Sequence, residues 1–198
     1  IRDRVYHPMD QGMARELLGL PSGKRLLLFG ALNVTDKRKG IDYLIEALRR
    51  MEKQDVELVV FGQVKDDIRG LFPVPIHSMG YLSDESKIVA LYNAVDMFIT
   101  SSLEENLPNT IMESMACGTP CVGFEIGGIP EMIDHRVNGY VANYKDAGDL
   151  ANGIQWVLEH EDRLALSDAC VKKVQENYTE EVVAKQYTAL YEKLLKGE

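Results

Sequence analysis

The sequence predicts a single α/β domain built on a doubly wound, mostly parallel sheet with helices on both faces. Four short apolar runs at 25–31, 56–62, 95–101 and 120–125 are typical of strands that are covered on both sides. Helical patterns lie between and after these runs, and such an alternation of strand and helix is typical of a parallel sheet. No repeat, low-complexity tract or long linker interrupts the 198 residues, so we expect one domain spanning 1–198.

The elements follow in a regular order along the chain. The first strand, 25–31, leads to a helix at 41–51 whose apolar residues form one stripe. The strand at 56–62 and a weaker candidate at 76–79 precede a helix at 84–94, for which Ser83 is the expected N-cap. The remaining elements are strands at 95–101, 120–125 and, more weakly, 140–143, and helices at 149–159, 163–176 and 181–195.

Composition excludes several classes of function. The formal net charge of −9 argues against a nucleic-acid-binding surface, which needs clustered cations, so any anion site must be local. The three cysteines form no disulfide pattern, which suits a reducing compartment, and Cys117 and Cys121 are expected to be small buried side chains rather than metal ligands. The chain contains no apolar run long enough to span a bilayer and no signal-peptide pattern.

The segment 101–122, SSLEENLPNTIMESMACGTPCV, is the most informative part of the chain. A buried strand leads into a polar loop, and Pro108 suits the first turn of the helix that follows. The backbone amides of Asn109, Thr110 and Ile111 would then have no helical partner and could point at a phosphate. Glu105 and Glu113 could accept hydrogen bonds from sugar hydroxyls on either side of that phosphate.

This segment closely resembles the donor-binding signature of the retaining glycosyltransferases of family four, which have the GT-B fold. That signature contains two glutamates with seven residues between them, and Glu105 and Glu113 have this spacing. The resemblance extends over nearly the whole chain and implies one Rossmann-like half of a GT-B enzyme. The chain lacks the glycine-rich fingerprint that a dinucleotide-dependent oxidoreductase would need. A non-catalytic flavodoxin-like binding or interaction module stays an alternative to the glycosyltransferase.

A second loop, 30–40, carries three consecutive cations before a helix, which is where phosphate-binding loops are found. In the family this loop offers a glycine-arginine pair and a lysine-glycine pair to the diphosphate. Lys39 and Gly40 match the second pair. Ala31 occupies the position where the arginine of the glycine-arginine pair is expected. Arg38 is a weak candidate to take the place of that arginine.

The resemblance implies roles for particular residues. We expect Glu105 to orient the transferred sugar and Lys39 to neutralise the leaving diphosphate, so these two are the candidate catalytic residues. Glu113 is expected to hold the ribose hydroxyls. The other expected donor-binding residues are Arg38, Leu82 beside the nucleobase, Asn106, Leu107, Pro108, Asn109 and Thr110.

The resemblance also implies a larger enzyme. This chain would be its C-terminal nucleotide-sugar-binding domain, and an N-terminal acceptor domain would be absent. The complete enzyme would transfer a hexose from a nucleotide-diphosphate sugar to an acceptor hydroxyl with retention of configuration, without a metal or other cofactor. We expect a cytoplasmic location, and attachment to the inner face of the membrane through the missing domain stays open.

Overall fold

A computed structural model describes residues 1–33, 36–51, 55–63 and 69–196. Its six strands form one parallel sheet in the order β3-β2-β1-β4-β5-β6, which is the doubly wound arrangement that the sequence predicts. The strands are Arg25–Asn33 (β1), Val56–Gln63 (β2), Ile76–Gly80 (β3), Met97–Thr100 (β4), Cys121–Phe124 (β5) and Gly139–Ala142 (β6). Both weaker strand candidates are therefore confirmed.

The helices fill the connections between the strands. They are Gln11–Leu18 (α1), Ile41–Arg50 (α2), Glu85–Ala94 (α3), Asn109–Ala116 (α4), Ile129–Met132 (α5), Ala147–Leu158 (α6), Arg163–Asn177 (α7) and Glu180–Lys196 (α8). Helices α1 and α5 were not predicted from the sequence pattern; α5 is only four residues long and contains a proline.

Two apolar layers cover the sheet. Alternate residues of β1 point to opposite faces, so Leu27 and Phe29 belong to one layer and Leu26 and Leu28 to the other. The first layer is completed by α2 and α6, and the second by α1, α3, α4, α5 and α7. Because the strands are covered on both sides, they read as continuous apolar runs.

Two predicted helix starts need correction. The N-cap of α3 is Asp84, whose carboxylate accepts a hydrogen bond from the Ser86 amide, and not Ser83. Helix α6 begins two residues earlier than predicted, because Asp146 caps it by accepting from the amides of Gly148 and Asp149. In both places an aspartate beside the expected start is the better acceptor for the first-turn amides.

The amino edge of the sheet carries a buried charge cluster. The carboxylate of Asp96, just before β4, accepts from the Leu26 amide at 2.7 Å. It also accepts from Arg15 Nη2 at 3.1 Å and from Arg163 Nη2 at 2.6 Å. The side chains of Asp96 and Arg15 are only 3% and 7% exposed. This cluster ties α1 and α7 to the sheet at the edge opposite the candidate site.

Within the described ranges, no helix combines the length and the apolar character needed to cross a membrane.

Candidate functional site

The candidate site lies at the carboxyl ends of β1 and β4. These strands are neighbours in the sheet although the chain visits two other strands between them, so the strand order reverses here. The crevice beyond such a reversal is the usual ligand position in a doubly wound sheet. The loop after β1 leads to the basic residues 37–39, and the loop after β4 carries Glu105.

The structure brings the two candidate catalytic side chains into contact. Lys39 Nζ donates to Glu105 Oε1 at 2.6 Å, and the two side chains are 31% and 15% exposed. Lys39 reaches this position from a single 3-10 turn, Lys37–Lys39, that immediately precedes α2. Sixty-six positions separate the two residues in the sequence, so the fold creates this pair.

The two loops are also joined through their backbones. The Leu103 amide donates to the Arg38 carbonyl at 2.7 Å, and the Ser101 hydroxyl donates to the Lys39 carbonyl at 2.9 Å. The Tyr144 hydroxyl donates to the Leu103 carbonyl at 3.1 Å from the far side. The basic loop and the glutamate loop therefore form one connected surface.

Glycines allow the close approach of these loops. Gly40 has a φ of +61°, and a Cβ at this position would overlap the carbonyl oxygen of Ser101. Gly127 has a φ of +54°, and a Cβ there would overlap the carbonyl oxygen of Glu105. The neighbouring Gly128 donates its amide to the Asn106 carbonyl at 2.5 Å. Gly127 and Gly128 therefore pack directly against the backbone of the glutamate loop.

Helix α4 begins one residue later than predicted. Pro108 has extended backbone angles and is the N-cap, so the first helical residue is Asn109. The Ile111 amide donates to the Pro108 carbonyl at 3.1 Å, which corrects the expectation that it lacks a helical partner. The amides of Asn109 and Thr110 precede this first bond and remain the groups at the positive end of the helix.

Glu113 lies in the second turn of α4 and is half-buried. Its Oε2 accepts a hydrogen bond from the Tyr92 hydroxyl at 2.9 Å. Burial raises the pKa of the Glu113 carboxyl, while this hydrogen bond opposes the rise because it favours the ionised form. Tyr92 belongs to α3 and is buried, and burial beside Glu113 raises the pKa of its hydroxyl well above the ordinary value.

Arg38 is folded onto its own loop. Its guanidinium donates to Asp36 Oδ2 at 2.7 Å, and Asp36 also caps the 3-10 turn by accepting from the Arg38 amide at 2.9 Å. These hydrogen bonds lower the pKa of Asp36 to about 2. Arg38 is therefore engaged by a carboxylate in this structure. Val34 and Thr35 of the same loop lie outside the described residues.

One shallow cleft of about 390 Å³ brings several predicted residues together. Its lining consists of Arg38, Lys39, Glu104, Glu105 and Asn106. Glu113 and Leu82 are not part of this cleft, and Leu82 packs at the margin of the second apolar layer. Glu104 lines the cleft but was not among the predicted site residues, because it does not fit the signature spacing; its position beside Glu105 was the available signal.

The cysteines have no metal-binding geometry. Cys117 and Cys121 are buried free thiols, and burial raises the pKa of each to about 12. A thiol must lose its proton to bind zinc, so these environments disfavour a metal ligand. Among the residues that the structure describes, no three His, Cys, Asp or Glu side chains come together as a potential metal site.

Comparison with known proteins gives a family match. Residues 23–160 match the family model described as glycosyl transferases group 1. The chain is 24% identical over 204 residues to N-acetyl-alpha-D-glucosaminyl L-malate synthase of Bacillus anthracis, covering all of this chain and 53% of that protein. The family match favours a glycosyltransferase over the non-catalytic binding module considered above.

Solved structures show the same fold. Anabaena HepE, in complex with UDP-glucose, superposes with a TM-score of 0.80 at 20% identity, over 97% of this chain and 55% of that one. The C-terminal domain of the group 1 glycosyl transferase LpcC from Francisella tularensis gives a TM-score of 0.74 at 20% identity, over 91% and 99% of the two chains. This chain spans about half the length of the longer proteins that it matches.

Proposed function

We propose that this chain, which belongs to the glycosyl transferases group 1 family, is the C-terminal donor-binding domain of a retaining family-four enzyme. The whole protein would transfer a hexose from a nucleotide-diphosphate sugar to an acceptor hydroxyl and keep the anomeric configuration. An N-terminal acceptor domain would close the other side of the cleft. The near-complete match to an isolated C-terminal domain, and coverage of only half of longer relatives, support this assignment.

The contact between Lys39 and Glu105 carries the proposal. Both groups sit at the strand-order reversal, and Glu105 lies in the loop that leads to the N-terminus of α4. As the bond between the sugar and the diphosphate breaks, negative charge grows on the leaving diphosphate. The ammonium of Lys39 and the amides of Asn109 and Thr110 would stabilise that charge where it develops, which is how an electrostatic site lowers a barrier.

Donor binding would exchange one partner of Glu105 for another. In the structure, Lys39 Nζ pairs with this carboxylate at 2.6 Å. A bound donor would draw Lys39 towards the diphosphate and leave Glu105 to accept hydrogen bonds from the hydroxyls of the transferred sugar. Because the two loops are joined by backbone hydrogen bonds, this exchange needs only side-chain movement.

The remaining site residues would hold the rest of the donor. Glu113 would accept from the ribose hydroxyls, Leu82 would border the base, and Arg38 would reach the diphosphate after leaving Asp36. Asn106, Leu107 and Pro108 would shape the loop around the sugar. We propose that no metal or other cofactor takes part, because cations and helix amides supply the positive charge that the diphosphate needs.

Nucleotide binding to this chain tests the proposal. Ligand-observed NMR would be run with UDP, GDP and ADP, starting from UDP because Anabaena HepE has a UDP-glucose complex. Lys39→Ala and Glu113→Ala should each weaken binding at least tenfold. Lys173→Ala is the matched control, since Lys173 pairs with Asp134 at 2.8 Å and is similarly sheltered, at 19% exposed, but lies on α7. The proposal would be contradicted if the wild type and the three variants bound a nucleotide equally well, or if the wild type bound none of the nucleotides.

A further inference from the structure

A buried tyrosine fixes one oxygen of Glu113. The Tyr92 side chain is 1% exposed, and its ring stands edge-on to Phe61 and Phe98, with centroid distances of 6.3 and 6.1 Å. A ring enclosed in this way cannot turn its hydroxyl elsewhere without disturbing the apolar layer. The 2.9 Å hydrogen bond to Oε2 therefore sets the direction of the carboxylate and leaves Oε1 to accept from another donor.

A second tyrosine approaches the same carboxylate from the segment before α1. Tyr6 is 7% exposed and packs in the second apolar layer with Tyr92. Its hydroxyl lies 3.4 Å from Glu85 Oε1, and Arg2 forms an ion pair with that same oxygen. Burial, together with the nearby charges of Glu113 and Glu85, raises the pKa of the Tyr6 hydroxyl.

Together these groups form a small network around one functional carboxylate. The titratable groups near Glu113 come from three elements: Tyr6 before α1, Glu85 and Tyr92 on α3, and Cys117 at the end of α4. Arg2 is the ion-pair partner of Glu85. Burial is the main influence against ionisation of Glu113, and the like charge of Glu85 opposes it as well. The Tyr92 hydroxyl favours the ionised form, because the carboxylate accepts its hydrogen bond.

We propose that Tyr92 is a positioning residue for Glu113, which favours its ionised carboxylate and aims its other oxygen at the donor ribose. This proposal rests on the proposed donor-binding function of Glu113. The role falls to Tyr92 because its hydrogen bond to Glu113 is 2.9 Å long and enclosed in the apolar layer.

The first arm of the test needs no ligand. Carboxyl ¹³C NMR follows the Glu113 titration, which Glu113→Gln identifies by the loss of its signal. Tyr92→Phe should move the titration to higher pH. Tyr6→Phe should move it less far than Tyr92→Phe does, because the Tyr6 hydroxyl donates to Glu85. Tyr178→Phe is the matched control, because it removes a hydroxyl that donates to the Glu131 carbonyl at 3.0 Å away from Glu113. It should leave the Glu113 titration unchanged.

The second arm measures UDP affinity from pH 5 to 8. The wild-type chain should bind more weakly as pH falls through the Glu113 titration. In Tyr92→Phe the affinity should drop roughly tenfold near the acid end and recover towards higher pH, as expected for a lost hydrogen bond to a charged group. Glu113→Gln should bind weakly without this pH dependence.

The two proposals fail in different ways. If Glu113→Ala binds UDP as well as the wild type does, the proposed donor-binding role of Glu113 is wrong. If Glu113→Ala loses binding but Tyr92→Phe titrates like the wild type, only the positioning role is wrong. A Tyr92→Phe protein that is less stable, yet keeps the Glu113 titration and the pH profile, would show that the tyrosine is purely structural.

Discussion

Replacing Gly40 with alanine tests whether the basic loop and the glutamate loop depend on their close approach. Gly40 joins Lys39 to α2 with a φ of +61°. An added Cβ would lie well inside 3.0 Å of the Ser101 carbonyl oxygen, a separation that real Cβ atoms essentially never show. That oxygen belongs to backbone that hydrogen bonds hold in place, so it cannot turn aside as a flexible side chain would.

Two penalties add at this position. A left-handed backbone conformation costs an alanine about 1–2 kcal/mol. Pushing Ser101 away resembles overpacking of a core, which typically costs a further 1–3 kcal/mol. We therefore expect Gly40→Ala to lower the free energy of unfolding by roughly 2–5 kcal/mol. UDP binding by the molecules that remain folded should also weaken, because the displaced loops carry Lys39 and Glu105.

Gly19 provides a matched control for the cost of placing an alanine in a left-handed backbone conformation. Its φ is +66°, and a Cβ there would meet nothing within 4 Å, so Gly19→Ala bears only the conformational penalty. Urea denaturation measures both variants, and the difference between them isolates the clash with Ser101. Equal losses of stability, or unaltered UDP binding by Gly40→Ala, would refute the inference that this glycine sets the distance between the loops.

Two further variants probe buried carboxylates. Asp96→Ala should lower the free energy of unfolding in urea by about 3–5 kcal/mol, because it leaves the buried guanidinium of Arg15 uncompensated; a loss under about 1 kcal/mol would contradict this reading. Glu113→Gln should raise the melting temperature at pH 7 but not at pH 4. Burial raises the pKa of Glu113, so the wild type loses stability as pH rises from the carboxyl's ordinary pKa through its raised value. A gain at both pH values would show that the ionised carboxylate is not the cause.

The sequence pattern predicted the central sheet well because the strands are buried on both faces. A run such as LLLFG in β1 leaves little choice of structure when helical patterns flank it. Helix α1 was harder, since it is short and buries only Ala14 and Arg15, so it shows no apolar stripe of the kind that marks α2. Its N-cap Asp10 and C-terminal Gly19 were the available signals.

The candidate site was predicted in part. The family signature marked Glu105 and Glu113, and Lys39 followed from its place before a helix. The hydrogen bond from Tyr92 to Glu113 could not be predicted from the sequence. A tyrosine on the apolar face of a helix indicates a core residue, and Tyr92 is also part of the core. Arg38 was expected to face the diphosphate, but Asp36, two residues earlier, offers a carboxylate that accepts from its guanidinium in the structure.

The bonds between the two loops have a consequence for redesign of the site. The basic loop and the glutamate loop are joined by the hydrogen bonds from the Leu103 amide to the Arg38 carbonyl and from the Ser101 hydroxyl to the Lys39 carbonyl. Of these four groups, only the Ser101 hydroxyl belongs to a side chain. The loops would therefore keep their shape while the side chains at 37, 38 and 104 are varied. A library at these three positions, with Gly40 and Ser101 left intact, would vary the charge and contour of the cleft on an unchanged scaffold.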